Sequence, residues 1–239
     1  SSPTINNLNI YSNIATYGAG IFCAAWPEPI QISNSVIHHN NSENCFFGGG
    51  LFTTGPVVLE DLIVEENQST YAAGVYINSD NSVFRNSIIR NNSGIQDGGG
   101  IYTDGADPLF ESLSIHGNTA GTGGGVLCSS ANPTIKNCTI VGNSVPTPEG
   151  SIYFGGGIRC GGTSHPIVIN SILWNNEPKN IGFDSWGEPK EITISYSNIG
   201  NGIDGIEDND NGVVNWLEGN IANDPNFVDE PEENFSLLA

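Results

Sequence analysis

The chain has 239 residues, the size of one ordinary domain, of which 13% are charged. Acids outnumber bases 26 to 6, a net charge of −20. That balance argues against nucleic acid and anionic membrane surfaces as partners, because both are met by clustered Lys and Arg. No stretch approaches the ~18 apolar residues of a membrane span, so no membrane insertion is expected.

Glycine and asparagine each contribute 31 residues. The chain is therefore rich in turns, with a surface made polar by amides and hydroxyls. Five cysteines occur without a CxxC pair, which leaves neither zinc-site spacing nor a dense disulfide framework. The chain lacks methionine and starts at Ser1 directly in repeat-like sequence. The expectation is a segment of a larger protein, with the open edge of its first unit covered by something beyond it.

Along the chain, each unit has a short apolar run that ends in asparagine. The series is Asn13, Asn40, Asn67, Asn92, Asn118, Asn143 and Asn176, with steps of 27, 27, 25, 26, 25 and 33 residues. Three positions earlier stand Ile10, Ile37, Val64, Ile89, Ile115, Ile140 and Leu173. Eight positions earlier stand Ile5, Ile32, Leu59, Phe84, Phe110, Ile135 and Val168. Six positions earlier the residue is Asn, Asp or Ser throughout, from Asn7 to Asn170. A second anchor follows in each unit, a glycine joined to an aliphatic residue, from Gly20-Ile21 to Gly157-Ile158.

Short alternating runs bounded by turns predict strands of three to five residues, and no window carries a helical stripe. A period of 25–27 residues suits three such strands per turn of a solenoid and is too short for a propeller blade of ~40 or more. The expected fold is all-β: a right-handed, single-stranded parallel β-helix of about seven or eight coils. In this reading asparagine stacks at a turn because it tolerates left-handed backbone and bonds to the next amide, and glycine permits a tight bend. Insertions fall between the two anchors, at 41–47 and 144–154, on one side of the rod. Residues 1–200 form the β-helix. The segment 201–239 is an acidic irregular stretch and C-terminal cap or tail of the same domain.

The units Asn137-Cys-Thr-Ile-Val-Gly-Asn143 and Gly123-Gly-Gly-Val126 resemble repeats of the pectin-lyase-like superfamily, in particular those of secreted or cell-surface bacterial proteins. The resemblance covers about residues 3–200, and the tail Asn223-Asp-Pro-Asn-Phe-Val-Asp229 resembles the one such proteins carry. It implies an extracellular or cell-surface location. It does not imply one activity, since the fold hosts lyases, hydrolases and adhesins.

Lyases of this superfamily use Lys or Arg, often with calcium, because a uronate carboxylate must be neutralised before its α-proton is acidic. Arg85, Glu111 and Lys136 stack in one column and read more simply as a cross-coil ion-pair ladder. Hydrolases use paired carboxylates; Asp97, Asp104 and Asp107 lie near one another, yet turns account for them. His38 and His116 share a column but stand three coils apart, ~14 Å, too far for one metal. The run Asp204–Gly212 gathers oxygen ligands around glycines, so Asp204, Asp208 and Asp210 are candidate calcium ligands beside the reading of a solvated acidic loop. Cys128 and Cys160 share a position in adjacent coils, as stacked thiols or a disulfide. Trp26, Trp174 and Trp186 are candidate carbohydrate contacts where exposed. Where buried, the C-terminal tryptophans, Trp216 included, would seal the last coil, which is the preferred reading.

The expected function is a non-catalytic extracellular module. It would act as a rigid spacer or as an adhesive, carbohydrate-contacting surface that meets polysaccharide or other surface proteins. The alternative is a polysaccharide lyase or glycoside hydrolase.

Overall fold

A computed structural model describes residues 3–24, 28–41, 46–146, 155–230 and 232–238. Three columns of short strands wind into a rod in which every lateral pairing is parallel. The first sheet runs from Thr4–Asn6 through Val83–Arg85, Leu109–Glu111 and Thr134–Lys136 to Lys190–Ser195 and Gly212–Trp216. The second runs from Asn9–Tyr11 through Ile88–Arg90 and Ser114–His116 to Asn198–Ile199. The nine-residue strands Ile30–His38 and Val57–Glu65 pass through both, bent at left-handed Asn34 and Asp61. The third sheet has eight strands, from Ile21–Cys23 to Ile206–Glu207. Eight rungs at ~4.8 Å make a rod of about 35 Å. The coils continue past residue 200, because Ile206–Glu207 and Gly212–Trp216 still extend the third and first sheets.

The core is three aliphatic columns. Ile32, Leu59, Phe84, Phe110 and Ile135 point inward from the first sheet, and Ile37, Val64, Ile89, Ile115 and Ile140 from the second. Leu51, Val75, Ile101, Val126 and Ile158 come from the third. No single coil could bury such a face alone, so each rung stabilises its neighbours. Ile206, Val214 and Trp216 pack against this core at the C-terminal end, so Trp216 does help to seal it.

The asparagine column is a continuous hydrogen-bonded ladder. Asn118 Oδ1 accepts from the Asn92 backbone N–H at 3.0 Å and from its Nδ2 at 2.9 Å. Asn118 Nδ2 donates to Ile89 O and to Asn143 Oδ1, both at 2.9 Å. The pattern repeats from Asn13 to Asn176 and ends on Asn180, whose Nδ2 donates to Gly200 O at 2.9 Å. The ladder amides are not the left-handed residues, which corrects the sequence reading. Positive φ falls on the residue before each rung, as at His39, Glu66, Asn91 and Asn175, and on the column six positions earlier, as at Asn86 and Asn137.

Glycine's role also differs from the expected bend. Gly98, first of its triplet, has φ +67, but a Cβ on Gly100 would lie 2.5 Å from Gly125 O in the next coil. The glycine anchor thus lets neighbouring backbones close at that corner, and only the first glycine of a triplet supplies left-handed backbone.

Beyond the last coil the chain continues as a tail. Phe227–Asp229 and Asn234–Leu237 pair antiparallel and lie back along the second sheet. Glu233 reaches Arg90 Nη1 at 3.0 Å, and Asn175 Nδ2 donates to Glu230 Oε1 at 2.7 Å. Phe235 meets His116 with ring centroids 5.0 Å apart. The tail is a strap on the side of the coils.

Candidate functional site

The chemistry concentrates on the outer face of the third sheet. Outward positions there are Phe22, Phe52, Tyr76, Tyr102, Leu127 and Arg159, in register from coil to coil. Phe22 and Phe52 stack with centroids 5.5 Å apart, and Phe52 and Tyr76 at 4.7 Å; Tyr102 turns to meet Tyr76 edge-on at 5.3 Å. A second column, Tyr17, Phe47 and Tyr71, runs beside the first, with Phe47 and Tyr71 stacked at 4.9 Å. Both phenols near the middle are pushed up by burial, that of Tyr76 to about 12. Toward the N-terminal end the stripe opens to solvent, and Phe22 is 54% exposed.

At the other end the stripe enters a hollow of about 250 Å³ lined by Tyr102, Ser129, Arg159, Asp184, Trp186 and Asp97. Arg159 is buried. Its Nε donates to Asp184 Oδ1 at 2.7 Å and its Nη1 pairs with Asp97 Oδ1 at 3.2 Å and also bonds Thr122 Oγ1. Its guanidinium carbon lies 5.9 Å from the Trp186 ring centre. A buried cation satisfied by two carboxylates and a hydroxyl rigidifies the site. Trp186, 47% exposed, and Tyr102 thus offer aromatic surface beside fixed polar atoms.

Of the tryptophans expected as sugar contacts, the two described ones, Trp174 and Trp186, lie at different sheets. Trp186 is in this hollow, and half-buried Trp174 is on the second sheet in register with Val141. Trp26 lies outside the described residues. Asp204 and Asp208 line one open hollow with Glu207 and Lys179, and Lys179 Nζ donates to Asp204 O at 2.8 Å. Asp210 does not line it; its N–H donates to Asp208 Oδ1 at 3.1 Å. Among the described residues, no group of three or more His, Cys, Asp or Glu is placed to hold a metal ion.

The residues weighed for catalysis are in structural pairs. The expected ladder starts one coil earlier than read: Arg85 Nε pairs with Glu60 at 3.0 Å, and Lys136 with Glu111 at 2.8 Å. Asp104 accepts from Tyr76 Oη at 3.3 Å, and Asp107 Oδ1 accepts from the Asn132 backbone N–H at 3.1 Å. Cys128 and Cys160 face each other across adjacent rungs as free, buried thiols. Parts of both insertions, 42–45 and 147–154, lie outside the described residues.

The aromatic columns were legible in the repeat and missed. The outward aromatic directly follows the first four glycine–aliphatic anchors, as in Gly50-Leu51-Phe52 and Gly100-Ile101-Tyr102, and its neighbours Tyr17, Phe47 and Tyr71 lie three residues before the first three of those glycines.

A parallel β-helix held by an internal asparagine ladder, with a side-chain-lined outer face, is the class of protein this architecture defines. Residues 73–228 match the family described as Right handed beta helix region, and the chain belongs to that family. No curated protein and no solved structure matches it.

Proposed function

We propose that the chain is a non-catalytic, extracellular β-helix module, a rigid rod that contacts neutral polysaccharide along the outer face of its third sheet. The observation that carries this reading is the stripe from Phe22 to Tyr102, ending where Tyr102 and Trp186 border fixed polar groups. Sugar recognition combines flat apolar surface with a few oriented polar atoms, and the stripe has both. A protein of net charge −20 repels uronates, which favours neutral glycans. Arg159, Asp97 and Asp184 are occupied with one another, which supports a positioning role over acid–base chemistry.

The test is a polysaccharide array of neutral glycans and uronates, scored for binding and for unsaturated or reducing-end products, with and without calcium. Binding to a neutral glycan that weakens in Trp186→Ala and Tyr102→Ala, without product, supports the reading. Product release from any substrate would sink it in favour of a lyase or hydrolase.

A further inference from the structure

We propose that a second hollow, between the second sheet and the strap, binds one or two units of a neutral saccharide. It encloses about 560 Å³ and is lined by Asn137, Asn170, Tyr196 and Asn198 from the coils and by Asn226 and Leu237 from the tail. That volume is in the range of small-ligand sites, ~300–1,000 Å³.

The amides here are set up for a ligand in a way the ladder amides are not. Asn198 is 8% exposed, and its Nδ2 donates to Asn223 O at 2.8 Å. That bond orients the amide and leaves Oδ1 as a buried acceptor without a partner. Native structures rarely leave such an atom unmet unless something else supplies the donor. Nearby, Asn170 Nδ2 donates to Asn137 Oδ1 at 2.7 Å. The pair keeps an N–H of Asn137 and the Oδ1 of Asn170 for another partner.

Tyr196 supplies the apolar platform. Its hydroxyl donates to Glu218 Oε1 at 2.5 Å, and a Cβ on Gly219 would come within 2.3 Å of its ring, so the ring is held from behind. It remains about half exposed, and Ile172 and Leu237 extend the apolar lining. Among the described residues the lining contains no Lys or Arg, and its one charged residue, Asp224, already accepts from the Asn226 N–H at 2.9 Å. Phosphates, sulfates and uronates are therefore disfavoured. A ring with several hydroxyls and an apolar face matches acceptors at Asn198 and Asn170, a donor at Asn137 and the Tyr196 ring. The site is on a different sheet from the aromatic stripe and stands independently of it.

The test is an NMR titration of the ¹⁵N-labelled chain with glucose, galactose, mannose and N-acetylglucosamine separately, and with calcium chloride. The readout is the side-chain amide signals of Asn137, Asn170 and Asn198. A saturable shift with at least one sugar is expected. Asn198→Ala, read at Asn137 and Asn170, should weaken it roughly tenfold, as for one lost hydrogen bond with a neighbour left unpaired. Tyr196→Ala, at a half-exposed position, gives the same direction should Asn198→Ala lower the melting temperature. Trp186→Ala should leave these shifts unchanged, which separates this site from the third-sheet face. No saturable shift with any sugar, shifts with calcium alone, or unaltered affinity in both Asn198→Ala and Tyr196→Ala would overturn the proposal.

Discussion

Asn118→Ala should be among the most destabilising single substitutions in the chain, although it removes no apolar surface. Its side chain is fully buried and makes four hydrogen bonds, two accepted from Asn92 and two donated to Ile89 O and Asn143 Oδ1. Truncation leaves the Asn92 backbone N–H, one Asn92 amide hydrogen and Ile89 O without those partners. Asn143 Oδ1 keeps the Asn118 backbone N–H at 3.0 Å. Each orphaned buried group costs about 1–3 kcal/mol, so a total near 4 kcal/mol is reasonable after partial relaxation. At ~2–4 °C per kcal/mol for a domain of this size, the melting temperature should fall by roughly 8–16 °C. Asn13→Ala is the control. That residue is exposed and makes the same contacts on one side only, so its cost should be about 1 kcal/mol or less. Thermal melts of both variants, with hydrogen exchange at Asn92 as a local probe, test the comparison. Exchange guards against a unit that opens by itself, since coils interact mainly with their neighbours. Equal losses in the two variants would refute the idea that the ladder stabilises through burial of satisfied amides.

Three further outcomes follow from the same geometry. Gly100→Ala places a methyl 2.5 Å from the Gly125 carbonyl oxygen; it should cost about 1–3 kcal/mol in a urea melt, whereas Gly105→Ala, with open space around it but φ +60, should show only the backbone penalty. Burial raises the thiols of Cys23 to about 11 and of Cys138 and Cys160 to about 12, and that of Cys128 upward as well. A thiol reagent at pH 8 should leave these four untouched until the chain unfolds, and fast reaction in the native protein at any of them would show that position is open. His116 is held below its usual value chiefly by burial, with Glu233 opposing and Arg90 adding to the shift. The fold therefore favours neutral imidazole, so stability is intact above the unfolded value near 6.5 and declines as pH falls below it. Replacing Glu233 by Gln removes the opposing charge and should steepen that decline; a stability curve flat between pH 7 and 5 that His116→Phe leaves unchanged would discount the histidine.

The coil period, the three inward columns and the ladder rungs from Asn13 to Asn176 could be read from spacing alone, because a solenoid writes its cross-section once per turn; the last rung, Asn180, stands four residues after Asn176 and is off that period. What spacing does not reveal is which neighbour of a conspicuous residue bears the strain. The left-handed backbone expected on the ladder asparagines, since asparagine tolerates it, falls one residue earlier, on Ser12, His39, Glu66 and Asn91 among others. The physical reason is that a ladder amide must point inward to reach the next rung, and the turn that aims it is made by its predecessor. Glycine misled in the same manner. Its missing side chain matters at Gly100 for the approach of the next coil more than for bending.

The candidate surfaces divide along a similar line. The aromatic stripe recurs through four successive coils and could have been found by reading one residue past the first four glycine–aliphatic anchors. The Arg159 cluster could not, because Asp97 and Asp184 stand 62 and 25 residues from their partner and meet it only through register. The hollow beneath the strap is further from legibility. Its coil side uses turn positions at Asn137, Asn170 and Tyr196, ordinary members of the repeat whose residue types arouse no suspicion. Its other wall is a tail whose path along the rod is set by side-chain contacts at Arg90, His116 and Asn175 and by no repeat at all. A solenoid makes uniform faces by repetition, so a distinct pocket arises where repetition is interrupted. On this rod that is where the chain leaves the last coil and returns along its side, and there the buried Asn198 acceptor stands without a partner.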